Sequence, residues 1–138
     1  MNGMAVVEEA RKYLGSPFRH QGRTHTGIDC AGLIIKALSN LGTNLYDVPG
    51  YGRQPKDSEL EGQMDKQLVR LSAQESWRVG DVLLMRFGLE PQHVALVSRL
   101  DPVYILHTNS SIGRVVEHIL DQRWQRLVVC SYRLPGVN

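Results

Sequence analysis

Gly27-Ile28-Asp29-Cys30-Ala31-Gly32-Leu33-Ile34 is the stretch on which the reading of this chain turns. Asp29 is of the type that caps helices, since its carboxylate can accept from the backbone N–H groups left open in a first helical turn. Leu33, Ile34, Ala37, Leu38 and Leu41 then share one face, and Gly42 ends the run. Cys30 therefore opens an amphipathic helix and sits at the positive end of its dipole, which favours thiolate over thiol. Gly32 costs such a helix about 1 kcal/mol relative to Ala, a cost that makes sense where another backbone passes close to the thiol. Most cysteines in regular structure are simply small buried hydrophobes, and Cys130, in the apolar strand run Leu127-Val128-Val129-Cys130, illustrates that ordinary case.

Upstream, Val6, Val7, Ala10, Tyr13 and Leu14 recur at helical spacing between Met4 and Leu14, and Gly15 with Pro17 stops them. Residues 18 to 28 are polar and read as a loop that delivers the chain to Asp29. Downstream, residues 42 to 57 (GTNLYDVPGYGRQPKD) are too rich in Gly and Pro for regular structure. Leu60, Met64 and Leu68 then mark a short helix. After it the period changes. Asp81 to Phe87, His93 to Arg99, Val103 to His107, Arg114 to Ile119 and Leu127 to Leu134 are short apolar or alternating runs split by turn residues. Helices first and strands afterwards predict an α+β domain, with N-terminal helices carrying the nucleophile packed on a roughly five-stranded antiparallel sheet. Residues 1–138 read as one domain, long enough to bury roughly 70% of the surface of the unfolded chain.

His93 opens the run Gln92-His93-Val94-Ala95-Leu96-Val97 after a turn at Gly88 to Gln92, so it stands at the end of a central hairpin. There an imidazole can be held against the helix start, take the Cys30 proton and return it to a leaving amine. His107 closes the following run, and a turn at Asp101-Pro102 would bring it beside His93 as the polar group that orients the base. His20 and His25 lie in the loop before Cys30 and can line the cleft. His118 alternates with Val116 and is expected to face outward. The histidine and cysteine spacings match no zinc motif, so neither a metal nor a cofactor is expected.

A net charge of +2 with scattered Lys and Arg argues against nucleic acid as a partner. The stretch Met1 to Glu9 lacks a basic region followed by an apolar core, so no signal peptide is expected. No apolar run approaches the roughly 20 residues that span a membrane, and no membrane insertion is expected. Two cysteines do not make a disulfide framework, which suits folding in a reducing cytoplasm.

Taken together, Gly15-Ser16-Pro17-Phe18, Asp29-Cys30-Ala31-Gly32-Leu33, Gly80-Asp81, His93-Val94-Ala95-Leu96 and Ile105-Leu106-His107 resemble the motifs of the NlpC family of papain-like cell-wall cysteine peptidases, in the family's order. The resemblance implies the papain-like NlpC fold, with Cys30 as nucleophile, His93 as general base and His107 as third polar residue. It implies hydrolysis of amide bonds in peptidoglycan stem peptides. Phe18 and Ala31 stand where the family commonly has Tyr and Ser, so two hydroxyls are missing near the thiol and the usual substrate preference is open to change. Asp47 to Pro55, together with His20-Gln21-Gly22-Arg23 and Asp29-Cys30-Ala31-Gly32-Leu33, are similar to the subgroup found with bacteriophage tails, such as lambda-type tail-tip assembly proteins and gene transfer agent peptidases. That likeness implies other tail-tip proteins as partners, with assembly in the host cytoplasm and then a place in the virion tail. Two alternatives stand beside it: a structural tail-tip or hub protein that dispenses with catalysis, and an amidase or acyltransferase of the same broad fold. In the Gly- and Pro-rich segment, Tyr46, Tyr51 and Arg53 could present aromatic faces and a charge to a glycan or acidic stem peptide; a partner-docking loop is the competing reading.

Overall fold

Asn2 opens the first helix by accepting from the Ala5 N–H at 2.8 Å, and α1 runs Gly3–Arg11 in the computed structural model, which describes residues 2–43, 45, 59–88 and 91–137. The helix buries Val6, Val7 and Ala10, the apolar positions its periodicity picks out. The stretch expected to be a loop instead holds a small hairpin, β1 (Arg23–Thr24) and β2 (Gly27–Ile28). Two-residue strands carry no readable alternation, which is why the sequence pattern passes over them. α2 (Cys30–Asn40) follows at once and buries Leu33, Ile34, Ala37 and Leu38 against α1 and the sheet. α3 (Glu59–Gln67) buries Met64. Most of the segment 42 to 57, with Tyr46, Tyr51 and Arg53, lies outside the described residues.

Among the described residues the sheet is antiparallel throughout and has six strands, β3 (Val69–Arg70), β4 (Val82–Met85), β5 (His93–Arg99), β6 (Tyr104–His107), β7 (Val116–Ile119) and β8 (Val128–Arg133), in the order β3-β8-β4-β5-β6-β7. Five of them are the expected runs. The sixth, β3, is a two-residue edge that pairs with the end of β8. Between β7 and β8 lies a short helix absent from the sequence reading, α4 (Gln122–Gln125), whose cap Asp121 accepts from the Trp124 N–H at 3.0 Å.

Both sheet faces are buried. Val82, Leu84, Val94, Leu96 and Leu106 pack toward the helices, while Leu83, Met85, Ala95, Val97 and Ile105 pack on the opposite side with Trp77, Trp124 and Leu127. Full burial of each large apolar side chain contributes about 1.5–3 kcal/mol. The Gly80-Asp81 pair has a structural role at the start of β4. Gly80 adopts φ +96°, and a Cβ there would come within 2.5 Å of the Gly3 Cα. Asp81 is buried and accepts from Arg133 Nε at 3.0 Å and Nη2 at 2.9 Å, which pins the start of β4 to the end of β8.

Candidate active site

Asp29 holds the start of α2 in place. One carboxylate oxygen accepts from the Gly32 N–H at 2.8 Å and from Arg23 Nη1 at 2.9 Å; the other accepts from the Gln21 N–H at 2.8 Å. The residue is 4% exposed, so these charge-assisted bonds are little screened. Gly32 is required at its position, because a Cβ there would lie 2.5 Å from the Gly22 carbonyl oxygen and 2.8 Å from Arg23 Nη1. The backbone at Gly22, just before β1, thus crosses directly over the first turn of α2, two residues beyond the thiol.

Cys30 sits where that turn meets the start of β5. Backbone N–H groups of Val94, Ala31 and Cys30 itself are directed at its sulfur and draw the thiol pKa down. Burial outweighs them, followed by the nearby Asp29 carboxylate, and together they push the thiol up to about 11. This corrects the expectation that the helix N-terminus would hold a resting thiolate: dipole and amides act in that direction, but a cap carboxylate and loss of water act against them. Burial likewise pushes His93 down to about 3. Both shifts favour the neutral forms of thiol and imidazole, and Cys30 is half-buried, with a face on the cavity.

Behind His93 the structure assembles a row of three imidazoles. His93 Nε2 lies 2.7 Å from His107 Nδ1, His107 Nε2 lies 2.7 Å from His118 Nε2, and His118 Nδ1 lies 2.9 Å from the Ile119 carbonyl oxygen. The row follows from register. β6 pairs with β7 so that His107 faces Val116 and Ile105 faces His118, which puts His107 and His118 on one sheet face as diagonal neighbours. His93 and His107 are each 1% exposed, and burial first, then the neighbouring histidines, pushes His107 down as well. The expectation that His118 faces outward is therefore corrected. It is half-buried, and its ring centroid lies 5.2 Å from that of Trp124, which also meets His107 edge-on at 4.9 Å. The period-2 pattern shows that Val116 and His118 share a face, but not which face, and α4 with Trp124 is what covers it.

Cys30 and His93 line one cavity of about 790 Å³, together with Phe18, His20, Asp29 and Ala31 from the sequence reading. Its wall continues over apolar residues of α2 and α3, including Ile34, Ile35, Leu60 and Met64, and over Arg123 and Trp124 of α4. His25 is placed elsewhere, stacked on Tyr13 with ring centroids 4.2 Å apart. Tyr46, Tyr51 and Arg53 fall outside the described residues. Among the described residues, no group of three or more His, Cys, Asp or Glu is arranged to hold a metal ion. Sequence reasoning missed His118, Arg123 and Trp124, the first for want of register and the others because a four-residue helix leaves no periodic signal.

The model of the NlpC/P60 family matches residues 15–133. No curated protein matches the chain. Among solved structures, the NlpC/p60 domain of the peptidoglycan hydrolase SagA is similar at a TM-score of 0.68 and 21% identity, over 97% of this chain and 100% of that one. An NlpC/P60 family protein from Bacillus cereus is similar at 0.72 and 19% identity, and NlpC2 from Trichomonas vaginalis at 0.70 and 14%. The matches cover 96% and 95% of this chain, but only 40% and 45% of those two proteins. At these identities the structures establish a shared fold.

Proposed function

The chain belongs to the NlpC/P60 family, and from that premise we propose that it is a cysteine peptidase that hydrolyses amide bonds in the stem peptides of peptidoglycan. The observation that carries this reading is the cavity in which the Cys30 thiol, at the open end of α2, shares a wall with a histidine whose far nitrogen is held at 2.7 Å by His107. Nε2 of His93 is taken by that contact, which leaves Nδ1 for the thiol. Burial keeps both partners neutral at rest, so the proton passes to His93 as the sulfur attacks the amide carbon. The tetrahedral oxyanion is stabilised at the N-terminus of α2. His93 then gives its proton to the leaving amine, and the thioester is cleaved by a water that His93 deprotonates. Asp29 acts through the helix by holding its first turn.

We place this activity at a bacteriophage tail tip, where it would open the wall locally during infection. Support comes from the likeness of residues 47–55 and 20–23 to tail-associated peptidases, and co-purification with tail-tip proteins would test it. An acyl transfer reading is favoured by one feature, the apolar run of Ile34, Ile35, Leu60 and Met64 along the cavity. Wild type and Cys30→Ala are to be incubated with purified peptidoglycan and the products weighed by mass spectrometry. New amine and carboxylate ends that depend on Cys30 support the peptidase. Products in which the acyl group has moved to another acceptor would replace it with the transferase, and no thiol-dependent product would leave a structural role.

A further inference from the structure

We propose that His118 is a positioning residue, the outer member of the His93–His107–His118 row, and that it selects the tautomer of His93 that can act as a base. The inference rests on the reading of Cys30 and His93 as the reacting pair. The order of protons in the row is set from the protein backbone. The Ile119 carbonyl can only accept, so His118 Nδ1, 2.9 Å away, must carry a proton. A neutral His118 then has a bare Nε2, which can only accept from His107 Nε2 at 2.7 Å. His107 Nδ1 is bare in consequence and accepts from His93 Nε2, also at 2.7 Å. His93 is left with a proton on Nε2 and a lone pair on Nδ1. With a single proton on each ring, that one carbonyl settles the whole row. A donor in place of His118 would reverse every bond and put a proton on His93 Nδ1, where the thiol proton has to go.

His107 alone cannot make this choice, because a neutral imidazole is equally able to donate or accept at Nδ1. Register holds the row together: Ile105 faces His118 and His107 faces Val116, while Trp124 closes over both outer rings at centroid distances of 4.9 and 5.2 Å. In catalytic triads the orienting group is often a carboxylate or amide with an unambiguous acceptor. Here a third imidazole and a main-chain carbonyl take that place.

Two substitutions separate the tautomer role from packing. His118→Gln keeps an acceptor for His107 and a donor for Ile119. His118→Lys supplies only donors at a half-buried edge position. Nitrogen-15 NMR of the full-length protein, resolving bare from protonated ring nitrogens, is expected to show wild-type His93 and His107 protonated at Nε2 and His118 at Nδ1. The Gln variant should keep the His93 pattern and a kcat within about threefold of wild type. The Lys variant should move the His93 proton to Nδ1 and lose about 10²–10⁴-fold in kcat with KM little changed. A wild-type His93 protonated at Nδ1 overturns the proposal, as does a Lys variant with wild-type kcat. Should the Lys variant not fold, the wild-type and Gln spectra decide. The spectra need no substrate, so an inactive wild type with the expected tautomers would remove the peptidase reading and leave only the proton order of the row, without a catalytic role for it.

Discussion

The two faces of the central strands are built from the same backbone and do different work. On β5, Val94 and Leu96 point to α1 and α2 in an apolar layer, whereas His93 shares its parity with Ala95 and Val97 on the opposite face. The helix-facing layer is held by burial, which is strong but has no direction. The opposite face changes character along its length, from Val97 and Ile105 to His93 and His107, and there hydrogen bonds of 2.7 Å fix orientation. Its cover is a four-residue helix and one tryptophan ring. On these strands, apolar packing against the helices and orientation of the histidines are thus separated by a single pleat, and variants on alternate residues should separate them in measurement.

The largest effect is expected at the polar end of that face. His93→Ala should lower kcat/KM on peptidoglycan about 10²–10⁴-fold with a folded protein retained, and His107→Ala should cost less, since a water can partly replace an orienting group but not a base. Steady-state kinetics beside a thermal melt checks both, and equal losses would erase the ranking. On the other face, Leu96→Ala should destabilise the fold by about 2–5 kcal/mol while each folded molecule keeps its activity. Urea unfolding and active-site titration of the folded fraction measure those two quantities.

Acid should distinguish the faces as well. His93 and His107 are buried as neutral rings, with folded pKa values pushed below the ordinary 6.5. The unfolded chain therefore takes up protons first, and stability is full above about pH 6.5 and is lost as the pH falls toward the folded values. Each ring adds a slope of about 1.4 kcal/mol per pH unit in that window. Urea midpoints between pH 7 and 4 should show this slope, and His93→Gln should reduce it; an unchanged slope would move the acid sensitivity elsewhere.

Smaller effects follow around the thiol. Asp29→Asn keeps an acceptor for the Gly32 N–H but removes the charge that helps raise Cys30, so the pH profile of iodoacetamide labelling should move to lower pH. Loss of the Arg23 partner should cost about 1–2 kcal/mol. A profile that stays in place would mean burial alone sets the thiol. Smallest of all, Cys130→Ala in half-buried β8 should change stability by less than about 1 kcal/mol and leave turnover unchanged, as activity assays would show.

By itself the sequence determined the elements with a long or punctuated signal. The Asp29 cap, the face of Leu33, Ile34, Ala37 and Leu38, and five of the six strands could be read because local hydrogen bonding and side-chain period act over neighbouring residues. It also marked Cys30 and His93 as the residues to bring together. It did not reveal β3, the β1–β2 hairpin or α4, since a two-residue strand and a single helical turn carry no repeat of their own period. Only the tertiary structure decided the state of the site. Burial overrode the helix dipole at Cys30, and the register of β6 against β7, with Trp124 over it, turned His118 from an outward residue into the end of a hydrogen-bonded row. Those outcomes depend on what lies across space from a side chain, and alternation along one strand carries no record of its neighbour.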